Sequence, residues 1–126
     1  MTLKTTIRVR ISGADVHYGG GLVSGARVLE LFGDAATELL IRRDGDEGLF
    51  RAYREVEFLA PVKAGDFLEV TATLTRVGKS SRDMTFTARK VIESAGNPRR
   101  PSRGRILKKP VVVATARGTC VVKKGL

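Results

Sequence analysis

The chain has 126 residues, of which 42% are hydrophobic and 29% charged, and its formal net charge is +10. These values predict one folded domain over residues 1–126 and exclude a disordered chain. A single cysteine, Cys120, excludes an intramolecular disulfide framework and a cysteine zinc site, and a single histidine excludes a multi-histidine metal centre within one chain. No apolar run is long enough to cross a bilayer, and the N-terminus has no apolar signal core. We therefore expect a cytoplasmic protein that needs no metal or cofactor and does not enter a membrane.

The positive charge is concentrated in the second half of the chain. Residues 1–60 carry eight basic and nine acidic residues, whereas residues 61–126 carry fifteen basic and four acidic residues. The densest stretch, 97–109, holds six basic residues: Arg99, Arg100, Arg103, Arg105, Lys108 and Lys109. Such a stretch favours an anionic partner (nucleic acid, a phosphorylated ligand or an acidic surface), or it is simply a solvated loop. Because no aromatic residue on which bases stack lies among the arginines, the pattern argues against nucleic acid.

The first half of the chain predicts a strand, a glycine-rich loop and one long helix. Residues 3–11 alternate between apolar and polar side chains, which indicates a half-buried strand. The loop that follows, SGADVHYGGG (12–21), contains three consecutive glycines. From Leu22 to about Arg42, apolar residues recur at spacings of three and four, as in an amphipathic helix with Ser24 as a candidate N-cap. Within that helix, Gly25 is expected to allow the close approach of a neighbouring backbone.

After the helix the hydrophobic period changes to two, which predicts strands. They cover residues 48–59, 66–77, 83–92 and 111–122. A proline-, glycine- and arginine-rich segment without periodicity, 94–110, predicts a mobile basic loop. Cys120 shares a strand face with small apolar residues, which indicates a buried side chain rather than a nucleophile. One helix between five strands predicts an α+β fold in which an antiparallel sheet packs around the helix.

This order of elements is that of the hotdog fold, in which an antiparallel sheet of about five strands wraps around one long helix. Three segments resemble the 3-aminobutyryl-CoA ammonia-lyase family of lysine-fermenting bacteria: ADVHYGGGLVSGARVLELFGDAATELL (14–40), DGDEGLFRAY (44–53) and VEFLAPVKAGDFLEV (56–70). The resemblance covers about residues 5–93 and resumes over 110–122, so the basic segment lies outside it. It implies the reversible elimination of ammonia from L-3-aminobutyryl-CoA to give crotonyl-CoA, without a metal or a prosthetic group.

Elimination of ammonia from a β-amino thioester needs a polarised thioester oxygen, a base for the α-proton and a proton for the departing nitrogen. Backbone N–H groups ahead of the helix are candidates for the first task, unless the glycines only form a tight turn. These candidate donors belong to Tyr18, Gly19, Gly20 and Gly21. The candidate acids and bases are Asp34, Glu57, His17 and Asp15.

Each of these four side chains also has a structural interpretation. Asp34 lies on a largely apolar helix, where burial would raise its pKa, or it is a solvated helix carboxylate. Glu57 opens a segment that resembles the family, or it is an exposed strand residue. Histidine titrates near neutral pH, so His17 is a candidate proton shuttle, or it anchors the loop. Asp15 either orients His17 or shapes the loop through an Asx turn.

CoA carries several phosphate charges, and basic residues are the candidates to bind them. The predicted CoA-binding residues are Lys79, Ser80, Ser81, Arg82, Arg99, Arg100 and Arg51. Each of these is alternatively a solvated surface residue. We expect a homodimer or a higher homo-oligomer, a hexamer included, with its site between subunits, because a lone hotdog domain leaves a half-built cleft.

A departure from related sequences bears on the reaction. In some similar hotdog thioesterases a histidine stands just before Leu-Ala-Pro, whereas this chain has Phe58 there. Its absence puts hydrolysis by that mechanism in doubt and indicates a drier site. The competing hypotheses are an acyl-CoA thioesterase and a non-catalytic module that binds acyl-CoA or RNA.

Overall fold

The structure is a computed structural model that describes residues 3–123. One long helix and five strands follow each other in the order β1 (Lys4–Arg10), α1 (Gly25–Asp44), β2 (Leu49–Phe58), β3 (Phe67–Val77), β4 (Ser81–Ser94) and β5 (Gly104–Val121). Two short 3-10 turns, Gly13–Asp15 and Gly19–Gly21, lie between β1 and α1. The predicted α+β class and the predicted order of elements are therefore confirmed.

All five strands form one antiparallel sheet in the order β1-β3-β4-β5-β2, so β1 and β2 are its edges. Alternate residues of β3 and β4 are buried on the face that packs against α1, as the period of two predicts. The stacked rings of Phe32 on α1 and Phe86 on β4, whose centroids lie 5.2 Å apart, mark the centre of this core. Cys120 is buried at 1% exposure, which confirms its predicted structural role, and burial raises the pKa of its thiol to about 11.

Capping residues define both ends of α1. Ser24 is the N-cap, as predicted, and its hydroxyl accepts a hydrogen bond from the N–H of Ala26. Gly45 ends the helix in the left-handed conformation, with φ of 69°, and its N–H donates to the carbonyl of Ile41. The helix therefore starts three residues later and ends two residues later than its hydrophobic period indicated.

The basic segment is more regular than its sequence indicates. A continuous loop over 94–110 is wrong, because residues 104–110 open β5 and extend its hairpin with β4. Glu93 lies opposite Arg105 in that hairpin, and their side chains form an ion pair at 2.7 Å. The connecting segment is only 95–103, and the N–H of its first residue donates to the carbonyl of its last at 2.8 Å. Backbone pairing of this kind needs no apolar alternation, which is why the period did not reveal it.

A buried ion pair ties the end of α1 to the hairpin between β3 and β4. The Arg82 guanidinium, at 0% exposure, donates to both carboxylate oxygens of Asp44 at 3.0 and 3.2 Å. It also donates to the carbonyls of Gly78 and Ser81. The hydrogen bond from Arg82 holds the pKa of Asp44 below its ordinary value of 3.8, against an opposing effect of burial. The Arg82 side chain therefore donates hydrogen bonds both to the carboxylate at the end of α1 and to two carbonyls of the β3–β4 turn.

We predict that Arg82→Met destabilises the fold by about 3 kcal/mol, because it leaves the Asp44 carboxylate buried without its main partner. Urea denaturation at one fixed protein concentration measures the change in the free energy of unfolding. Arg76→Met, which removes an exposed arginine from the adjacent strand β3, is the matched control and is expected to have little effect. Equal stability of the two variants would contradict the structural role of the pair.

Candidate active site

An uncharged cleft of about 680 Å³ lies at the N-terminus of α1. Its walls are the end of the glycine-rich loop, the first turns of α1 and the segment that follows β2. Within residues 3–123, no side chain of Asp, Glu, Lys, Arg or His lines this cleft, and most of the lining is apolar. A cleft of this size and chemistry suits an uncharged part of a small ligand.

Backbone hydrogen bonds join two of these walls. The N–H of Val23 donates to the carbonyl of Val62 at 2.9 Å, and the N–H of Ala64 donates to the carbonyl of Gly21 at 3.2 Å. Leu22 and Lys63 form an isolated antiparallel bridge between the same two segments. The glycine-rich loop therefore has a fixed position against the connection between β2 and β3.

One of the four predicted backbone donors in the loop is already occupied by a hydrogen bond within the chain. The N–H of Tyr18 donates to the carbonyl of Leu22 at 3.1 Å, so Tyr18 is wrong as a free donor to a substrate oxygen. Gly20 and Gly21 have φ of 76° and 78°, a conformation that explains why glycine occupies these positions. A Cβ added to Gly19, Gly20 or Gly21 would meet no atom within 4 Å, so close approach of another group is not the reason.

The helix terminus itself supplies a donor that the sequence analysis did not select. Gly25 is the first residue of α1 and lines the cleft. The first N–H groups of a helix have no acceptor within the helix, and they carry the positive end of its dipole. The N–H groups of Ala26 and Arg27 are occupied by the hydroxyl and the carbonyl of Ser24. The N-cap serine was the sequence signal that could have identified Gly25.

Gly25 also has an unexpected neighbour. A Cβ at this position would lie 2.6 Å from Cε1 and Cζ of the Phe58 ring. The expectation that Gly25 admits a neighbouring backbone is therefore wrong in detail, because a side chain makes the close approach. The sequence marks Phe58 only as the residue that stands in place of a histidine, because its contact with α1 joins segments that are distant in the chain.

Asp15 and His17 both lie in the glycine-rich loop, but their side chains contact different partners. The Asp15 carboxylate accepts from the N–H of Ser12 and forms an ion pair with Arg27, both at 3.3 Å. These contacts support the interpretation that Asp15 shapes the loop. His17 is exposed, and its ring packs edge-on against that of Tyr18 with centroids 4.7 Å apart.

Asp34 and Glu57 both lie outside the cleft, Asp34 on α1 and Glu57 on β2. Asp34 is exposed, so its predicted burial is wrong for the single chain. Glu57 is also exposed and lies opposite Thr115 in the register of β2 with β5. Thr115 alternates with the buried Ala114 and Ala116, so its row is on the sheet face opposite to α1. Neither carboxylate lines the cleft.

A bulge in β2 decides which residues of this strand face the helix. Glu55 has φ of 54° at a register shift between Arg54 and Glu57. The extra residue resets the alternation, so Val56 packs against the core and Phe58 reaches Gly25. Without the bulge, a regular alternation from Tyr53 onward would have placed Glu57 on the side of α1.

Tyr53 is a further polar residue beside the helix that the sequence analysis did not select. Its hydroxyl donates to the carbonyl of Leu29 at 2.6 Å. Burial raises the pKa of Tyr53 well above its ordinary value of 10.0, and the neighbouring Cys120 and Asp34 raise it further. The phenol therefore stays protonated and serves as a hydrogen-bond donor.

The predicted CoA-binding residues divide into occupied and accessible side chains. Arg82 is wrong as a phosphate ligand, because it is fully buried and paired with Asp44. Lys79 and Ser80 are exposed at the β3–β4 turn, and Ser81 is partly exposed. Arg99 and Arg100 are exposed in the 95–103 connection. Arg51 is exposed and borders a second cleft of about 480 Å³ between α1 and β2.

The described part of the chain offers neither a cluster of metal-binding side chains nor a membrane-spanning helix. Across residues 3–123, no group of three or more His, Cys, Asp or Glu side chains is placed to hold a metal ion. The one long helix, α1, is not apolar enough over a sufficient length to cross a membrane.

Comparison with known proteins gives the family. The thioesterase superfamily model matches residues 20–91. The chain is 56% identical over 122 residues to 3-aminobutyryl-CoA ammonia lyase of Acetoanaerobium sticklandii, which covers 97% of this chain and 96% of that relative. The solved structure of β-alanyl-CoA:ammonia lyase from Clostridium propionicum is 36% identical with a TM-score of 0.91, covering 98% of this chain and 87% of that one.

A more distant structure has the same fold. A hexameric hotdog-fold thioesterase of Campylobacter jejuni superposes with a TM-score of 0.75 at 16% identity, covering 94% of this chain and 82% of that one. The fold, the matched superfamily region and the near-complete match to the ammonia lyase agree with one another. The chain therefore belongs to the thioesterase superfamily of hotdog proteins and, within it, to the 3-aminobutyryl-CoA ammonia-lyase family.

Proposed function

We propose that this chain catalyses the reversible elimination of ammonia from L-3-aminobutyryl-CoA to give crotonyl-CoA. The observation that carries the proposal is the 56% identity, over almost the whole of both chains, to a relative of that name. An uncharged cleft at a helix N-terminus supports it, because the apolar acyl group of a CoA thioester fits such a cleft. We also propose that the reaction takes place in the cytoplasm.

The helix terminus is suited to the first step. In this proposal the thioester oxygen lies near the N–H of Gly25 and, if the loop contributes, near those of Gly19–Gly21. When a base takes the α-proton, negative charge develops on that oxygen, and fixed N–H groups with the helix dipole stabilise it. The electron pair of the C–H bond then forms the double bond, and the pair of the C–N bond leaves with the nitrogen, which takes a proton from a donor and departs as ammonia.

Proton transfer requires carboxylates that the single chain does not bring to the cleft. We assign the base and the nitrogen proton donor to Asp34 and Glu57, with His17 assisting; Asp15 holds the loop through Arg27. Because Asp34 and Glu57 lie on opposite sides of the sheet in one chain, we propose a homodimer or higher homo-oligomer with each site between subunits. Within residues 3–123, β2 is an edge strand that pairs with β5 alone, so we propose that its other side faces a second subunit.

We predict that incubation with crotonyl-CoA and ammonium gives an ammonia-dependent loss of the enoyl-thioester absorbance. Mass analysis is expected to find 3-aminobutyryl-CoA as the product. Reactions without ammonium, and reactions with heat-inactivated protein, are the controls. Release of free CoA thiol from crotonyl-CoA would instead indicate a thioesterase, and binding without either reaction would indicate a non-catalytic module.

We predict that Asp34→Asn and Glu57→Gln each lower kcat by about 100-fold or more while substrate binding persists. If one subunit supplies Asp34 and the other Glu57, a mixed dimer of the two variants contains one site with both native carboxylates. Random mixing of the two variants is then expected to restore about a quarter of the wild-type activity. If the mixture is no more active than either variant alone, both carboxylates serve the same site from one chain or neither is catalytic.

We predict that the basic connection binds CoA phosphates. Replacing Arg99, Arg100 and Arg103 by Ser is expected to raise KM several-fold at low ionic strength, less at high salt, with kcat nearly unchanged. Arg105 is retained because it is paired with Glu93. The control with the same change in net charge replaces by Ser three exposed basic residues that form no ion pair within residues 3–123: Lys4, Arg10 and Arg76. Equal KM values for the two triple variants would contradict a specific phosphate contact.

A further inference from the structure

Phe58 packs against the first residue of α1, although more than half of its surface is exposed. Its side chain is 56% exposed, yet the ring lies so close to Gly25 that a Cβ there would be 2.6 Å from two ring carbons and 3.1 Å from a third. Real Cβ atoms do not approach carbon atoms to 2.6 Å, so a larger residue at position 25 would force the Phe58 ring to move from this position. The ring therefore rests directly on the backbone of the first helical residue.

The backbone around Phe58 is held on both sides. Phe58 pairs with Ala114 of β5, and the N–H groups of Leu59 and Ala60 both donate to the carbonyl of Val113, at 2.8 and 3.3 Å. The bulge at Glu55 gives the strand the phase that directs Phe58 toward α1. Phe58 thus stands on a fixed element rather than on a mobile loop.

Its position matters because the ring forms a wall of the uncharged cleft beside the helix N-terminus. The remaining walls near it, Leu22, Leu29 and Val62, are also apolar. If the thioester lies at the helix terminus, the acyl chain extends into the cleft past this ring. A ring beside the path of the acyl chain reduces the room that the cleft offers to longer chains.

We propose that Phe58, packed against Gly25 at the wall of the cleft, is a specificity-determining residue that disfavours longer acyl groups. This inference rests on the proposed function for the position of the thioester. In an apolar pocket, one additional methylene is worth about 10- to 200-fold in discrimination, so a single ring suffices to select chain length.

The test compares the dissociation constants of butyryl-CoA and hexanoyl-CoA, which share the same CoA moiety, by calorimetry on the intact protein. Wild-type protein is expected to bind hexanoyl-CoA at least 10-fold more weakly than butyryl-CoA. Phe58→Ala is expected to remove that difference or reverse it, and Phe58→Leu to give an intermediate ratio. Leu49→Ala, which removes an exposed apolar side chain from the same strand outside the cleft, is expected to keep the wild-type ratio.

An unchanged ratio in Phe58→Ala would overturn the inference, as would a wild-type protein that binds both thioesters equally. The addition of ammonia to crotonyl-CoA is measured on the same preparations. Ammonia addition with an unchanged ratio in Phe58→Ala contradicts only the role of Phe58. A shifted ratio without ammonia addition by the wild-type protein supports the role of Phe58 and contradicts the proposed reaction. Failure of wild-type protein to bind butyryl-CoA would overturn both.

Discussion

The two faces of the sheet constrain everything else in this molecule. Side chains of a strand alternate between faces, and α1 covers only one of them. Residues such as Val70, Phe86 and Ala116 form the core because they share that covered face. The opposite face carries a row of threonines that runs from Thr6 across the sheet and reaches Glu57 on the edge strand β2. Which groups can meet inside one chain follows from this division.

The covered face of β4 is closed by a buried cation near each end. Near one end of β4, Arg82 is paired with Asp44 at the end of α1. Near the other end of the same strand, the Lys90 ammonium lies 3.3 Å from the Asp66 carboxylate. Buried charges are tolerated only with such partners, so these residues serve the fold. Each pair is neutral as a whole, so the net charge of +10 is carried by the remaining side chains, and its densest exposed stretch lies around Arg99 and Arg100.

The cleft and the carboxylates divide the proposed chemistry between two environments. The cleft at Gly25 offers backbone donors and apolar walls without a charged side chain, which suits a thioester that must not be hydrolysed. The acids lie outside it, exposed in the single chain. A second subunit against β2 would remove Asp34 and Glu57 from water and supply what the cleft lacks. On this proposal, the chain is catalytic only when it is assembled with a second subunit.

The sequence by itself determined the order of elements, the N-cap at Ser24, the burial of Cys120 and the family, because local periodicity, capping chemistry and long matching segments are properties of contiguous residues. Tertiary structure decided the rest. Arg82 reads as a surface turn residue until its partner, 38 positions away, is known. Glu57 changes face because one bulged residue resets the alternation of β2, and Gly25 acquires its meaning only from the ring of Phe58. Contacts between distant segments depend on strand register and helix placement, and neither is encoded within a single stretch of sequence.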